Sequence, residues 1–252
     1  MATATLIADR GAQKVDRDAL NVLCPAATAT HFPIPHLRVV EACEQTLAEA
    51  AYGIRDAEFV LGKGGNQLFA TFTLENVLVP GVRLAVGLRT SYDKTFPLGL
   101  VAGHRVIVCS NLAFRGDLVS VRRKHTRYGE QRFRTAIAAA VTRLADFRES
   151  ERKRVAALQA MVLSTEQAES LILRAHLKDI VSYRLLRKVH HEWQEPSHDE
   201  FRSRTAWSLF NSVTTALAEQ GQRNPHDFAR RTMRLHTLLN PFDTVSLVRS
   251  AA

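Results

Sequence analysis

The stretch from Val82 to Thr126 constrains the fold of this chain more than any other part of it. Apolar residues from Leu84 to Leu88 alternate with small or basic ones, which is typical of a strand with one buried face. Small and polar residues with a proline favour a turn over 90–97, and an apolar, β-branched run predicts a second strand over 101–108. Four consecutive basic or potentially basic residues, Arg122 to His125, follow at once and begin what we call the basic segment. This layout suits a binding surface at the rim of a sheet.

Further elements are predicted on both sides of this stretch. Apolar residues three or four apart predict a helix over 37–52. Two short strand-like runs, 57–61 and 68–74, are joined by glycine-rich residues typical of a hairpin. After the basic segment, apolar spacings near 3.6 predict one long helix over 131–161, whose charged patch at 149–154 is expected to face solvent.

The remaining chain is predicted to be helical. Ser164-x-x-Gln167 is a capping-box pattern, so a helix is expected to begin there and to end near Lys178 or, if continuous, near Trp193. The last two helices are predicted over 204–220 and 225–238.

These elements indicate an α+β fold. We expect an antiparallel β-meander with an N-terminal helix and a long following helix, plus an all-helical C-terminal part. Weak periodicity in residues 1–30 predicts a flexible N-terminal arm with a short helical turn near 16–23. The expected division is therefore an arm over 1–30, an α+β core over 31–147 and a helical region over 148–252.

Composition narrows the possible partners. A net charge of +9 favours a polyanion, most often nucleic acid, although solubility alone would account for the charge equally well. The three cysteines form no C-x-x-C pair, which argues against a disulfide framework and a zinc finger. The first ten residues show no basic stretch followed by a long apolar run, and no window reaches transmembrane length, so we expect a soluble cytoplasmic protein with no membrane partner. We also expect no cofactor and no metal.

The basic segment carries the leading functional hypothesis. Cations contact phosphates, and aromatic faces stack on unpaired bases. Such density of cations with interleaved aromatics over a short span favours binding of nucleic acid over a merely solvated turn. The expected contacts to phosphates are Arg115, Arg122, Arg123, Lys124, His125, Arg127 and Arg132, and the expected stacking residues are Phe114 and Tyr128.

Signals of catalysis are weaker. Histidines and acids over 190–200 include no H-E-x-x-H and are expected to be a solvated helix end. Asp93, His104 and His125 suggest a nuclease or another hydrolase, but no acid–base pair has a diagnostic spacing. The side chains of Asp93 and Asn111 are expected to form turns.

Around the strand predicted over 101–108, the residues Gly103, Arg105, Cys109, Asn111 and Leu112 follow a polar run over 89–93. This pattern resembles the phage/plasmid-like protein family, domain of unknown function nine-three-two. The resemblance spans roughly His36 to Thr214, with Trp207-x-x-Phe210-Asn211-x-x-Thr214 near its end and Lys124-His125-Thr126 in the basic segment. Thr90, Tyr92 and Lys94 depart from the usual Asn, His and Gly, and Ala113 follows Asn111-Leu112 where N-G-L is typical. The residues that carry the family pattern are Arg89, Ser91, Asp93, Gly103, Arg105, Cys109 and Asn111. The resemblance implies a mobile-element origin and no mechanism.

A second resemblance concerns element order. A helix, an antiparallel meander and a long helix is similar to single-strand annealing proteins of phage recombination systems, which form rings or filaments. From this analogy we predict a homo-oligomer that binds single-stranded DNA for recombination or protection of a mobile element. The alternative hypothesis is an inhibitor that binds a protein of a host defence system.

Overall fold

The computed structural model describes residues 13–29, 31–107, 112–123, 129–221 and 225–240. A six-stranded antiparallel sheet forms its centre, and its strands lie side by side in chain order. They are β1 (Gln13–Val15), β2 (Ile54–Gly62), β3 (Gln67–Val79), β4 (Val82–Ser91), β5 (Leu98–Val106) and β6 (Leu112–Arg123). The predicted β-meander is therefore confirmed.

One helix precedes β2 and six follow β6. They are α1 (His36–Glu49), α2 (Gly129–Thr142), α3 (Leu144–Ala160), α4 (Thr165–Leu177), α5 (Leu186–Gln194), α6 (Ala206–Gly221) and α7 (Pro225–Leu238). The α+β class with a helical C-terminal part is thus confirmed. In the described ranges, no helix is long and apolar enough to cross a membrane.

The long helix predicted over 131–161 is two helices, α2 and α3. The break is local: the amide of Arg143 donates to the carbonyl of Ala140, three residues earlier, at 3.0 Å. Arg143 keeps right-handed helical dihedral angles, with φ −83° and ψ −7°. A tightened turn of this kind leaves the apolar spacing almost unchanged, so periodicity does not reveal it.

The capping box at Ser164 is confirmed, because its hydroxyl accepts from the Gln167 amide and the Gln167 side chain accepts from the Ser164 amide. A helix continuing to Trp193 is wrong. After α4, Asp179 adopts a left-handed φ of 55°, which ends the helix.

Part of the segment expected to be a loose arm is held in place, which corrects that expectation for residues 13–20. Strand β1 pairs with β2, with Gln13 opposite Leu61 and Val15 opposite Phe59. A short 3-10 turn follows, as predicted, and Leu20 is buried in the core. Main-chain bonds to a sheet edge leave little trace in side-chain periodicity.

The sheet and the C-terminal helices share one hydrophobic core. Phe72 and Leu84 of the sheet belong to the same buried cluster as Phe147 of α3, Phe210 of α6 and Leu235 of α7. The boundary expected between residues 147 and 148 falls inside α3, and the packing continues across it.

Candidate functional site

The start of the basic segment is part of the sheet. Strand β6 continues through Arg122 and Arg123, which pair with Gly99 and Leu98 of β5. Arg132 is exposed in α2. The remaining predicted contacts, Lys124, His125, Arg127 and Tyr128, lie outside the described residues, as do Cys109 and Asn111 of the family pattern.

Three chain segments meet at one end of the sheet, because the strands of a meander alternate in direction. They are the β2–β3 turn (63–66), the β4–β5 turn (92–97) and the last residues of β6 (122–123), and we call this region the turn end. The two turns are hydrogen-bonded to each other: the Tyr92 amide donates to the Asn66 carbonyl at 2.8 Å, and Gln67 Nε2 donates to Asp93 Oδ2 at 3.0 Å.

The polar family residues at the turn end close the β4–β5 turn. The Asp93 carboxylate accepts from the Thr95 amide at 3.0 Å, as an Asx turn does, and the Ser91 hydroxyl bonds to both the amide and the carbonyl of Phe96. Burial alone would raise the pKa of Asp93, but hydrogen bonds from Thr95, Gln67 and Ser91 hold it below its ordinary value. The expectation that Asp93 forms a turn is confirmed.

Other family residues also have structural contacts. The Arg89 guanidinium lies 5.4 Å from the centroid of the Phe96 ring. Arg105 is buried and forms ion pairs with Glu58 and Asp56. At Gly103 the β6 backbone comes so close that an added Cβ would lie 2.1 Å from the Ala113 carbonyl oxygen. Only glycine fits this position without movement of the backbone.

Two predicted contacts to nucleic acid lie in the wrong place for that role. Phe114 is only 4% exposed, and its ring packs over Gly87, so it cannot stack on a base. The Arg115 guanidinium donates to the Ser150 hydroxyl at 3.3 Å and to the Glu151 carboxylate at 3.2 Å. Binding of a phosphate would have to compete with these contacts.

Glu151 is the centre of a group of charged and polar side chains that we call the buried cluster: His104, Arg115, Glu151, Arg154 and His236. Arg154 forms two hydrogen bonds to the carboxylate, at 2.9 and 3.1 Å, and His104 Nδ1 donates a third at 2.8 Å. Burial alone would raise the pKa of Glu151, but the charge of Arg154 and the bond from His104 hold it well below its ordinary value.

His236 completes the buried cluster from α7. Its ring lies 5.5 Å from that of His104 and 5.0 Å from that of Phe210, between centroids, and within the described residues neither ring nitrogen has a hydrogen-bond partner. Burial, followed by the charge of Arg154, lowers its pKa well below the ordinary value. Burial also lowers the pKa of His104, despite its bond to Glu151. Both histidines are therefore neutral at pH 7.

Ligand atoms of His104, Glu151 and His236 lie within 4.8 Å of one another, close enough for a metal ion. The surrounding charge disfavours one. Two guanidinium groups already contact the single carboxylate, so a divalent cation would have to displace them or bring further positive charge into a buried space. We therefore assign no metal to the buried cluster.

The sequence prediction missed Glu151, Arg154 and His236. The patch at 149–154 was expected to face solvent, yet Glu151 and Arg154 are buried. A signal was present: both fall at helical spacing on the same face of α3 as Phe147, Val155 and Leu158. A charged pair on an apolar face indicates a buried ion pair when a partner is available.

Two of the hydrolase residues, Asp93 and His104, are not brought together, and the third, His125, lies outside the described residues. Asp93 lies at the turn end, whereas His104 is six residues beyond Leu98 along β5, which is about 20 Å away.

The group at 190–200 agrees only in part with a solvated helix end. His190 is exposed and pairs with Glu169 at 3.0 Å, but Glu192 is buried and accepts from the amide and hydroxyl of Ser197.

The fold and its sites define an α+β protein with a basic sheet end and helices joined to the sheet by a buried ion pair. The family model described as Domain of unknown function (DUF932) matches residues 28–239, and the chain belongs to this family. No curated protein and no solved structure matches the chain.

Replacing Glu151 by glutamine should lower the free energy of unfolding by about 3–5 kcal/mol, because the buried Arg154 and the partly buried Arg115 lose their counter-charge. Glu149→Gln is the matched control on the same helix, since Glu149 pairs with Arg152 and Lys153 at the surface. Denaturant unfolding of both variants measures the difference. Equal, small effects would show that the buried cluster does not hold the fold.

The two neutral histidines predict a pH dependence. Their pKa values are lower in the folded state than in the unfolded chain, where the value is about 6.5, so their stabilisation is present above pH 6.5 and is lost as the pH falls. The other groups facing His236 are Arg154, Glu151 and Arg115.

Between pH 7 and pH 5, His236→Gln should flatten the dependence of unfolding free energy on pH by at most about 1.4 kcal/mol per pH unit. His191→Gln, at an exposed position on α5, is the control and should keep the wild-type slope. An unchanged slope in the His236 variant would contradict the burial of a neutral imidazole.

Proposed function

We propose that this protein binds single-stranded DNA through the basic segment that begins at the turn end. The observation that carries the proposal is the path of β6. This strand continues through Arg122 and Arg123 to the end of the sheet, beside the turn that follows β4. The contacts proposed there are Arg122, Arg123, Lys124, His125, Arg127 and Arg132.

The chemistry of these residues favours a single strand over a duplex. Guanidinium and ammonium groups contact phosphates of any sequence, and a tyrosine in the same segment, Tyr128, supplies a face on which an unpaired base can stack. Phe114 is left out because it is buried, and Arg115 because it binds Glu151. Within this proposal, the role is annealing, recombination or protection of phage or plasmid DNA in the cytoplasm of the host.

Self-assembly accompanies this proposal. In the described part of the sheet, β1 and β6 are the outermost strands, and an outer strand can pair with another copy of the chain. We expect a homo-oligomer in which the edge of β1 pairs with another copy, because the edge of β6 is contacted by α7, where the Thr232 hydroxyl accepts from the Phe114 amide.

Neutralising Arg122, Arg123 and Lys124 together with glutamine should weaken binding to single strands of any sequence. Each lost phosphate contact removes about 0.7 from the slope of log affinity against log salt, so the slope should become shallower by roughly two units. The measurement is fluorescence anisotropy with a labelled single strand and with the matching duplex across a salt series, with particle size read on the same samples.

The control for this variant removes the same charge elsewhere. Arg148, Arg152 and Lys153 are all exposed on α3, and replacing the three by glutamine should leave the slope near the wild-type value. If the two triple variants behave alike, the basic segment is not the binding site. If the wild type does not bind at low salt, where attraction is strongest, the proposal fails.

A groove on the helical part favours the second candidate function, inhibition of a host defence protein by direct binding. It lies between α4 and α5, has a volume of about 630 Å³ and includes Ile172, Leu173 and Leu186. Leu173 is 54% exposed, and Leu177, one helical turn later on α4 and outside the groove lining, is 73% exposed. Adjacent exposed leucines at a groove are typical of protein-binding surfaces.

This candidate predicts that Leu173→Asp with Leu177→Asp abolishes capture of a host protein from nuclease-treated lysate, while the basic-segment variant still captures it. Nuclease treatment removes partners bridged by nucleic acid. Loss of capture after that treatment in the wild type would leave DNA binding as the function.

A further inference from the structure

Two lysines far from the basic segment in sequence lie at the same end of the sheet. Lys63 is in the β2–β3 turn and Lys94 is in the β4–β5 turn, and both are exposed. The Lys63 ammonium lies 3.7 Å from the Asp93 carboxylate, next to Lys94 in the chain. The hydrogen bonds between the two turns fix the lysines on one continuous surface.

The order of the strands sets the spacing of these cations. Neighbouring strands lie about 4.8 Å apart, so the centres of the two turns are about 10 Å apart, and the end of β6 is about 7 Å beyond the second turn. The backbone positions of Lys63, Lys94 and Arg122–Arg123 therefore span roughly 17 Å across the turn end. A span of this length matches several successive phosphates of an extended strand.

The backbone of both lysines is unusual. Lys63 has φ 49° and Lys94 has φ 63°, in the left-handed region, where a side chain costs free energy that glycine avoids. Within the described ranges, the non-glycine residues with such angles are Ala51, Lys63, Lys94, Asp179 and Arg204. Two of these five are lysines at the turn end, so each of these turns carries a cation at a position better suited to glycine.

We propose that Lys63 and Lys94 belong to the surface that binds single-stranded DNA, and that the strand crosses the turn end from Arg122–Arg123 past Lys94 to Lys63. This inference rests on the proposed function and extends its site to the two turns. Asp93, the acid of these turns, accepts from Thr95 and Gln67, and thus supports the turns that present the lysines.

The test is the double variant Lys63→Gly with Lys94→Gly. It should flatten the slope of log affinity against log salt by about 1.4 units on a single strand, from two lost contacts. Its melting temperature should be unchanged or higher, because glycine relieves the left-handed backbone. A variant that is as stable as the wild type and binds DNA less tightly would show that the two lysines contribute to binding and not to folding.

Two controls outside the turn end, and one variant that keeps its charges, separate the effect of charge from that of backbone conformation. Ala51→Gly changes a left-handed residue that carries no charge, and should leave DNA binding unchanged. Lys153→Gln with Lys178→Gln removes two exposed lysines outside the turn end, and should also leave the slope unchanged. Lys63→Arg with Lys94→Arg keeps the charges and should retain the wild-type slope. If the glycine variant is less stable, Lys63→Asn with Lys94→Asn replaces it, since asparagine tolerates left-handed angles.

The outcomes distinguish this inference from the proposed function. If the variant of Arg122, Arg123 and Lys124 flattens the slope but the turn-lysine variant keeps the wild-type slope, the site does not extend to the turns and the proposed function stands. If the wild type does not bind, both fail. If the turn-lysine variant flattens the slope by about 1.4 units and both controls do not, the strand crosses the turn end.

Discussion

The buried carboxylate of Glu151 is the contact on which the arrangement of sheet and helices depends. It lies on α3 and accepts hydrogen bonds from His104 of β5, Arg115 of β6 and Arg154 of its own helix, with His236 of α7 beside them. A buried charge is tolerated when its oxygens are satisfied, and removing either partner leaves the other uncompensated. Because one carboxylate contacts two strands and lies beside α7, the C-terminal helices are held in a defined position on the sheet.

Most elements of the fold could be predicted because the burial of their side chains produces a periodic pattern of apolar residues in the sequence. The capping box at Ser164 is one example. The run from Leu84 to Leu88 is another, since it predicted β4, although all five residues are buried and the expectation of one buried face is wrong. Features that depend on the main chain could not be predicted. Pairing of β1 with β2 and the tightened turn at Arg143 change few side-chain environments, so they leave almost no pattern.

The candidate site was only partly predictable, for a different reason. A cluster of cations that is contiguous in sequence, such as Arg122 to Arg127, is visible without a structure. Lys63 and Lys94 adjoin it only because alternate strands of the meander end at the same edge, which requires the strand order. Phe114 and Arg115 show the opposite error, since they come shortly before the basic run in the sequence, but their strand positions direct them into the core and towards Glu151.

The net charge of +9 therefore indicates a partner only after the cations in internal ion pairs are separated from those at the surface. Arg105, Arg115 and Arg154 are balanced by buried or partly buried acids, so they add little to the field outside the protein. The turn end has a different balance, with one acid, Asp93, among the residues of its two turns and β6 ending in two arginines. Strand β5 connects both regions, with His104 in the buried cluster and Leu98 at the turn end. The fold thus holds one group of cations in internal ion pairs, and the contacts proposed for DNA belong to the other group.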